Sequence, residues 1–275
     1  MYTDFEFAGK RLSDFGYIVC KFNSSSDVTD VEIGCDITFN SVKNNHSSIR
    51  YKTSTSYENV YTTYIEIMKN PCRKNQDELY HQNEEISVLT TWLNRRGYHK
   101  FKPLSSTDDF SSVHYYGSFN VKEKVINDRV VGLCLSFEGN APYGFGNSIK
   151  NEFDENETFF IHGEGDEYTL IYPVVTVSPK IDCVDIPLEI ENRTTGTKVI
   201  LENLKANETI RLHGEHKIIV SDNEEHSSSS TFYDDFNYEW LDIKIEDGFY
   251  ENEYYVNVPC YISIEYEPIR KVGVC

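Results

Sequence analysis

The residues best equipped for chemistry lie in the second half of the chain. Glu164, Asp166 and Glu167 sit close to His162 in a segment punctuated by Gly163 and Gly165. Two carboxylates several ångströms apart are the equipment of glycoside hydrolysis, one protonating the leaving oxygen and the other acting as nucleophile or base. With 45 Asp and Glu among 275 residues, however, such clusters arise from composition alone. Asp154, Glu155 and Glu157, and separately Asp234 and Asp235, offer hard oxygens suited to Ca²⁺, but without EF-hand spacing. His213 and His216 flank a two-residue turn and lack the helical HExxH arrangement of a zinc site. There is no GxSxG elbow, and Gly144 and Gly146 lack the downstream pattern of a phosphate loop. Cysteines at 20, 35, 72, 134, 183, 260 and 275 form no close CxxC pair and read as reduced, buried small hydrophobes. The expectation is no catalytic residue, no cofactor and no metal.

The composition favours recognition and architecture. Tyr and Phe supply 36 residues, while Met and Trp supply four, a balance that suits pleated strands better than helices. No run approaches the roughly 20 apolar residues of a membrane helix, and the start Met1-Tyr2-Thr3-Asp4-Phe5 lacks the features of a signal peptide. The expected site of synthesis is therefore the cytoplasm. Residues 1–150 hold 17 Lys and Arg against 18 Asp and Glu, whereas residues 151–275 hold 9 against 27, so nearly all of the net charge of −19 lies in the second half. That acidity opposes binding to phosphate backbones and anionic lipid, so neither nucleic acid nor membrane is an expected partner.

The elements that would position these residues are mostly strands. Phe5-Glu6-Phe7 and Tyr17–Phe22 alternate around the turn Ser13-Asp14-Phe15-Gly16, and Tyr61–Met68 alternates until Asn70-Pro71. One helix stands out: Asn83 can cap, Glu84 and Glu85 fill the first turn, Ile86, Leu89 and Leu93 share a face, and Arg95-Arg96-Gly97 end it. Trp92 lies beside that stripe and should anchor the helix to the sheet or to a neighbouring subunit. Val113–Val121 and Val130–Phe137 form a hairpin about Asn127-Asp128. Ala141-Pro142-Tyr143-Gly144-Phe145-Gly146 then marks a boundary near residue 148, giving domains of 1–148 and 149–275.

Beyond the boundary come Glu167–Val177, Ile186–Asn192 with Lys198–Leu201, Thr209–Leu212 with Lys217–Val220, Leu241–Ile245, Tyr254–Val258 and Tyr261–Tyr266, the spacing of an antiparallel sandwich. A serine-rich loop at 223–230 leads into Phe232, Tyr233, Phe236, Tyr238 and Trp240. Tyr233, Tyr238 and Trp240 could stack on a sugar ring, which makes a cell-wall glycan binder the rival to a structural role; aromatics on a sandwich are more often core.

The first half resembles the distal tail proteins of long-tailed phages. The matching pieces are Phe5-x-Phe7-x-Gly9 with Ser13-Asp14-Phe15-Gly16, Thr91-Trp92-Leu93 in the helix, the Tyr115-Tyr116 strand, and Gly132-x-x-Leu135-x-Phe137 running into Ala141-Pro142-Tyr143. The second half is similar through Ile190–Gly196 and Leu204–Gly214. The resemblance implies a mostly β chain, with an N-terminal β-sandwich or split-barrel ring domain bearing one short helix and a C-terminal galectin-like sandwich. It implies a homo-hexameric ring in the virion tail tip, joining the tail tube protein to the tail hub and its tail-associated lysin, with receptor-binding proteins or glycan at the periphery. Trp92, Leu93, Tyr115 and Tyr116 are then candidates for the subunit interface. No catalysis is implied.

Overall fold

The computed structural model describes residues 3–22, 37–43, 49–73, 76–104, 113–154, 157–227, 234–246 and 249–271. The chain divides into two compact units, Met1–Phe145 and Gly146–Arg270. It is mostly β, every strand pair discussed below is antiparallel, and α1 (Asn83–Leu93) is the longer of two α-helices among the described residues. No described helix is long and apolar enough to cross a membrane.

The first unit contains β1 (Asp4–Phe7), β2 (Lys10–Arg11), β3 (Tyr17–Cys20), β4 (Ile37–Lys43), β5 (Arg50–Tyr57), β6 (Thr62–Lys69), β7 (His99–Leu104), β8 (Tyr115–Ile126), β9 (Arg129–Gly139) and β10 (Gly144–Phe145). Seven of them form one sheet in the order β2-β1-β7-β8-β9-β6-β3. Alternation explains which face is buried: Phe5 and Phe7, Ile65 and Ile67, Phe119, and Leu133, Leu135 and Phe137 all point into one core. Gly117 occupies an inward position on β8 because a Cβ there would run into the Phe137 ring and the Glu138 carbonyl. At the β8–β9 turn, Asn127 and Asp128 have φ of 48° and 60°, a left-handed pair of the kind that closes tight hairpins.

Helix α1 packs on this sheet, and its ends differ from the sequence expectation. Its N-cap is Gln82, not Asn83, because Glu85 lies three residues beyond and its carboxylate accepts the Gln82 amide at 2.9 Å. It ends at Leu93 with Asn94 as cap, leaving Arg95 and Arg96 beyond the last turn, before Gly97 at φ 84°. Lys69, on the inward parity of β6, ties the helix start down. Its ammonium donates to the carbonyls of Glu78 and Tyr80 at 3.1 and 2.8 Å and pairs with Glu85 at 2.5 Å.

The second unit contains β11 (Ile149–Asp154), β12 (Thr158–Glu164), β13 (Thr169–Ile171), β14 (Val174–Pro179), β15 (Leu188–Asn192), β16 (Thr197–Leu201), β17 (Ile210–His213), β18 (Ile218–Ser221), β19 (Ile243–Ile245), β20 (Phe249–Val256), β21 (Cys260–Tyr266) and β22 (Ile269–Arg270), with the one-turn helix α2 (Glu224–Ser227) after β18. A five-stranded sheet, β11-β21-β14-β17-β18, and a four-stranded sheet, β12-β20-β15-β16, share a single core that includes Phe159, Val177, Ile190, Leu201, Tyr254 and Ile262. The segment Glu167–Val177, expected within a run of hairpins, holds two strands that do not pair with each other. Pro173 cannot donate to a ladder, so the chain breaks there, β13 pairing with β19 while β14 pairs with β17 and β21.

Candidate assembly surfaces

The first unit displays a ribbon. Among the described residues, strands β4 and β5 pair only with each other, and along them Ile37, Phe39, Val42 and Tyr51 are 43, 63, 60 and 57 % exposed. The ribbon is held in register by the Asn40 amide donating to Ser54 Oγ at 2.9 Å, with a bulge between Asn40 and Ser41. Its base leans on the rest of the unit through an edge contact between Tyr57 and Tyr143. Its charges, Lys43, Arg50 and Lys52, are all positive, and Lys52 lies over the Phe39 ring at 4.8 Å. A second apolar point is the β8–β9 tip, where Val125 and Ile126 are 54 and 58 % exposed. Neither surface was marked by the sequence reading.

The residues that reading did single out in this unit lie deeper. Trp92, Leu93 and Tyr115 are buried within the unit itself. Trp92 stacks on Phe15 at 4.5 Å, and its indole N–H donates to the Phe7 carbonyl at 2.9 Å. Tyr115 stacks on Tyr61 at 4.2 Å. Tyr116 is only partly covered, its ring edge-on to Phe145, so it is the member of the set with surface left to offer.

In the second unit the acidic segment is not a turn at its start: His162 and Glu164 belong to β12, facing outward. Arg270 reaches both Glu164 and Asp166, at 3.4 and 3.3 Å, and the Tyr266 hydroxyl donates to the His162 carbonyl while accepting the Glu164 amide. One guanidinium thus bridges two of the carboxylates that the sequence groups together. Asp154 pairs with Lys180, and Asp235 accepts from Asn203. His213 closes β17, and His216 is exposed in the following turn. Among the described residues, no group of three or more His, Cys, Asp or Glu is placed to hold a metal ion. Of the peripheral aromatics, Tyr238 is 60 % exposed, Trp240 is half-buried and edge-on to Phe236 at 5.1 Å, and Tyr233 lies outside the described residues.

The strongest polar site of this unit escaped the sequence reading. Asp242, buried, accepts from Thr195 Oγ1 at 2.7 Å, Thr197 Oγ1 at 3.0 Å and the Asn192 amide at 3.1 Å. Its carbonyl accepts the Tyr254 hydroxyl at 2.6 Å, and burial, reinforced by Asp242, pushes that hydroxyl's pKa well above the usual tyrosine range. Asn252 completes the network by pairing with both backbone groups of Lys244. A second buried carboxylate, Glu208, accepts from Ser221 Oγ at 2.6 Å and lies 2.5 Å from His226 Nδ1. Burial works against its charge, but the bonds from Ser221, His226 and the Lys205 amide outweigh it, holding the carboxyl below its ordinary value. Both networks fasten loops to the sandwich. The signal that could have found them is period two, since Asn192 and Asn252 fall on the parity of Ile190 and Tyr254.

A mostly β chain of two sheet-built units, with exposed apolar ribbon and acidic strand faces, has the character of an assembly component. The chain belongs to a phage tail protein family: the model for the phage tail protein N-terminal domain matches residues 1–141, and that for the phage tail C-terminal domain matches residues 143–266. Its fold is shared with the SPP1 Dit (gp 19.1) protein, described as a paradigm of the hub adsorption apparatus in Gram-positive infecting phages. That likeness has a TM-score of 0.65 at 12 % identity and covers 97 % of this chain and 99 % of the other. A chain from the phage P2 baseplate in its activated conformation with Ca is also similar, with a TM-score of 0.53 at 9 % identity over 96 and 98 % of the two chains. No curated protein matches the chain in sequence.

Proposed function

We propose that this phage tail protein is a structural subunit of the tail tip, six copies of which close into a ring through their first units and join the tail tube to the hub and host-adhesion apparatus. The observation that carries the reading is the β4–β5 ribbon, whose apolar side chains stand exposed on strands paired, among the described residues, only with each other. An exposed ribbon of this kind is a liability in a free monomer and an asset where a neighbour covers it. A head-to-tail interface that closes into a ring would cover every such ribbon once. The tail tube protein and the tail hub with its tail-associated lysin are the partners of the ring faces. The acidic second unit serves the periphery, where receptor-binding proteins meet it. The subunit acts in the virion after synthesis in the host cytoplasm, and it contributes architecture with no catalysis. The double variant Phe39→Asp, Tyr51→Asp is expected to keep the circular dichroism of the parent and to sediment as a monomer; rings of undiminished mass would overturn the assignment of the ribbon.

A second reading, a lectin-like contact with cell-wall glycan, is favoured by one observation, the exposed ring of Tyr238, whose backbone has φ 59° and whose ring lies 5.6 Å from that of Phe236. A glycan array read with parent and Tyr238→Ala decides it: binding lost in the variant supports a sugar site, and absence of binding by the parent removes it.

A further inference from the structure

Lys217, in the turn leading into β18, has a backbone φ of 56°, a left-handed conformation that side-chain-bearing residues rarely adopt. From that position its ammonium lies 3.6 Å from the centroid of the Tyr172 ring and 5.3 Å from that of Trp240. Tyr172 stands at the break between β13 and β14 and is 40 % exposed. Trp240 is fixed from behind by Phe236 and the sandwich core. Desolvation among these rings lowers the Lys217 pKa, while Asp242 and Glu239 pull the other way. The two rings therefore already hold a cation, one delivered by a backbone in an unfavourable conformation and bearing a head group that loses solvation there.

We propose that Tyr172 and Trp240 form a recognition site for an alkylammonium group, filled in this structure by the chain's own Lys217, and that an incoming ammonium takes the place of that side chain. Ring faces attract cations through their quadrupole, best with tryptophan and best when the cation is readily stripped of water. A primary ammonium is strongly hydrated, whereas a quaternary one gives up little on entering. Release of Lys217 would also let its head group return to water. The source that this favours is a trimethylammonium head group of the choline type on a host surface; a lysine side chain of a neighbouring tail protein is the alternative that the probes below distinguish. The proposal stands independently of the ring assignment, since it concerns the second unit alone.

The test uses the full chain and its Lys217→Gly variant, which removes the ammonium and suits the left-handed backbone. Tetramethylammonium, choline and Nα-acetyl-lysine amide are titrated against sodium chloride of equal ionic strength, following the Trp240 indole resonance by NMR. Saturable shifts are expected, roughly tenfold tighter in Lys217→Gly than in the parent, and abolished when Tyr172→Leu is added. A response to the quaternary probes identifies the head-group source, and a response to the lysine amide alone identifies the protein source. In the unmodified chain, tetramethylammonium should raise the labelling rate of Lys217 by an amine-reactive reagent, leaving other lysines unchanged. A natively folded Lys217→Gly variant that responds to none of the three probes overturns the proposal. Should that variant fail to fold, labelling of Lys217 that is unchanged by the probe overturns it.

Discussion

Along the β4–β5 ribbon of the first unit the outward side chains are Phe39, Val42 and Tyr51, whereas the outward face of the β12-β20-β15-β16 sheet in the second unit carries Glu189, Glu191, Glu251 and Glu253. The second face is largely self-sufficient: Lys198 pairs with Glu189 at 2.6 Å, Arg193 with Glu253 at 2.9 Å, and Arg193 also covers the Tyr255 ring. Exposed ion pairs of this sort stabilise little, but they keep a surface soluble and set which partners it repels. The ribbon instead leaves most of its apolar side chains in water, with Lys52 over the Phe39 ring. Apolar area left in water costs about 25 cal/mol per Å² until something covers it. The difference is between a first unit that leaves apolar side chains in water and a second whose outward charges are largely paired within itself, the contrast on which the proposed self-association through the first unit depends.

The two units also anchor their parts differently, by aromatic stacking in the first and by buried polar networks in the second, and three substitutions measure that contrast. The largest effect is expected from Trp92→Ala. It removes a ring stacked on Phe15 and Phe5 and leaves the Phe7 carbonyl without its indole donor, a loss of about 3–5 kcal/mol. Chemical denaturation should show the first unit unfolding early, with the second unchanged; a folded first unit in a chain that fails only to assemble would move Trp92 to the subunit interface.

Next comes Asp242→Ala, which strands the hydroxyls of Thr195 and Thr197 and part of the Asn192 amide in a buried site, at a cost of about 2–4 kcal/mol. Thermal unfolding should show this loss in the second unit alone. A shift as small as that of an exposed Asp→Ala change would mean the network contributes nothing.

The smallest effect concerns pH. Because the folded-state pKa of Glu208 lies below its unfolded value, its stabilisation is complete above the unfolded carboxylate value of about 4.3 and is lost as pH falls through the lower, folded one. The melting temperature of the second unit should therefore drop less steeply on acidification in Glu208→Gln than in the parent. Equal slopes would show that Glu208 titrates alike in both states.

What the sequence revealed follows the same division. Helix α1 was legible because its first-turn acids, its apolar period and its terminating Gly97 agree, even though the cap falls one residue earlier at Gln82. The β8–β9 hairpin was legible from alternation around Asn127-Asp128. The ribbon was not, because the bulge at Asn40 and Ser41 breaks the short alternation of Ile37 and Phe39 before Val42, and neither face is buried. Strand β12 was hidden by Gly163 standing on the inward parity of Phe159 and Ile161, in contact range of Ile245, where an apolar side chain would have marked the strand. Lys69, Asn192 and Asn252 break the apolar pattern at inward positions, and only the fold shows that partners as far as 62 residues away satisfy them. The interface candidates Trp92 and Tyr115 came from the motifs that carry the family resemblance, and each is 2 % exposed inside the first unit, so both contribute to the core of the unit itself.

The ring itself is tested most directly by the mass of the intact chain in solution, measured by multi-angle light scattering across protein concentration and at low and physiological salt. The account predicts a hexamer of the 31.9 kDa chain at high concentration. Salt should favour it, because screening over about 8–10 Å relieves repulsion among the acidic second units. A monomer at every concentration and salt would contradict the account.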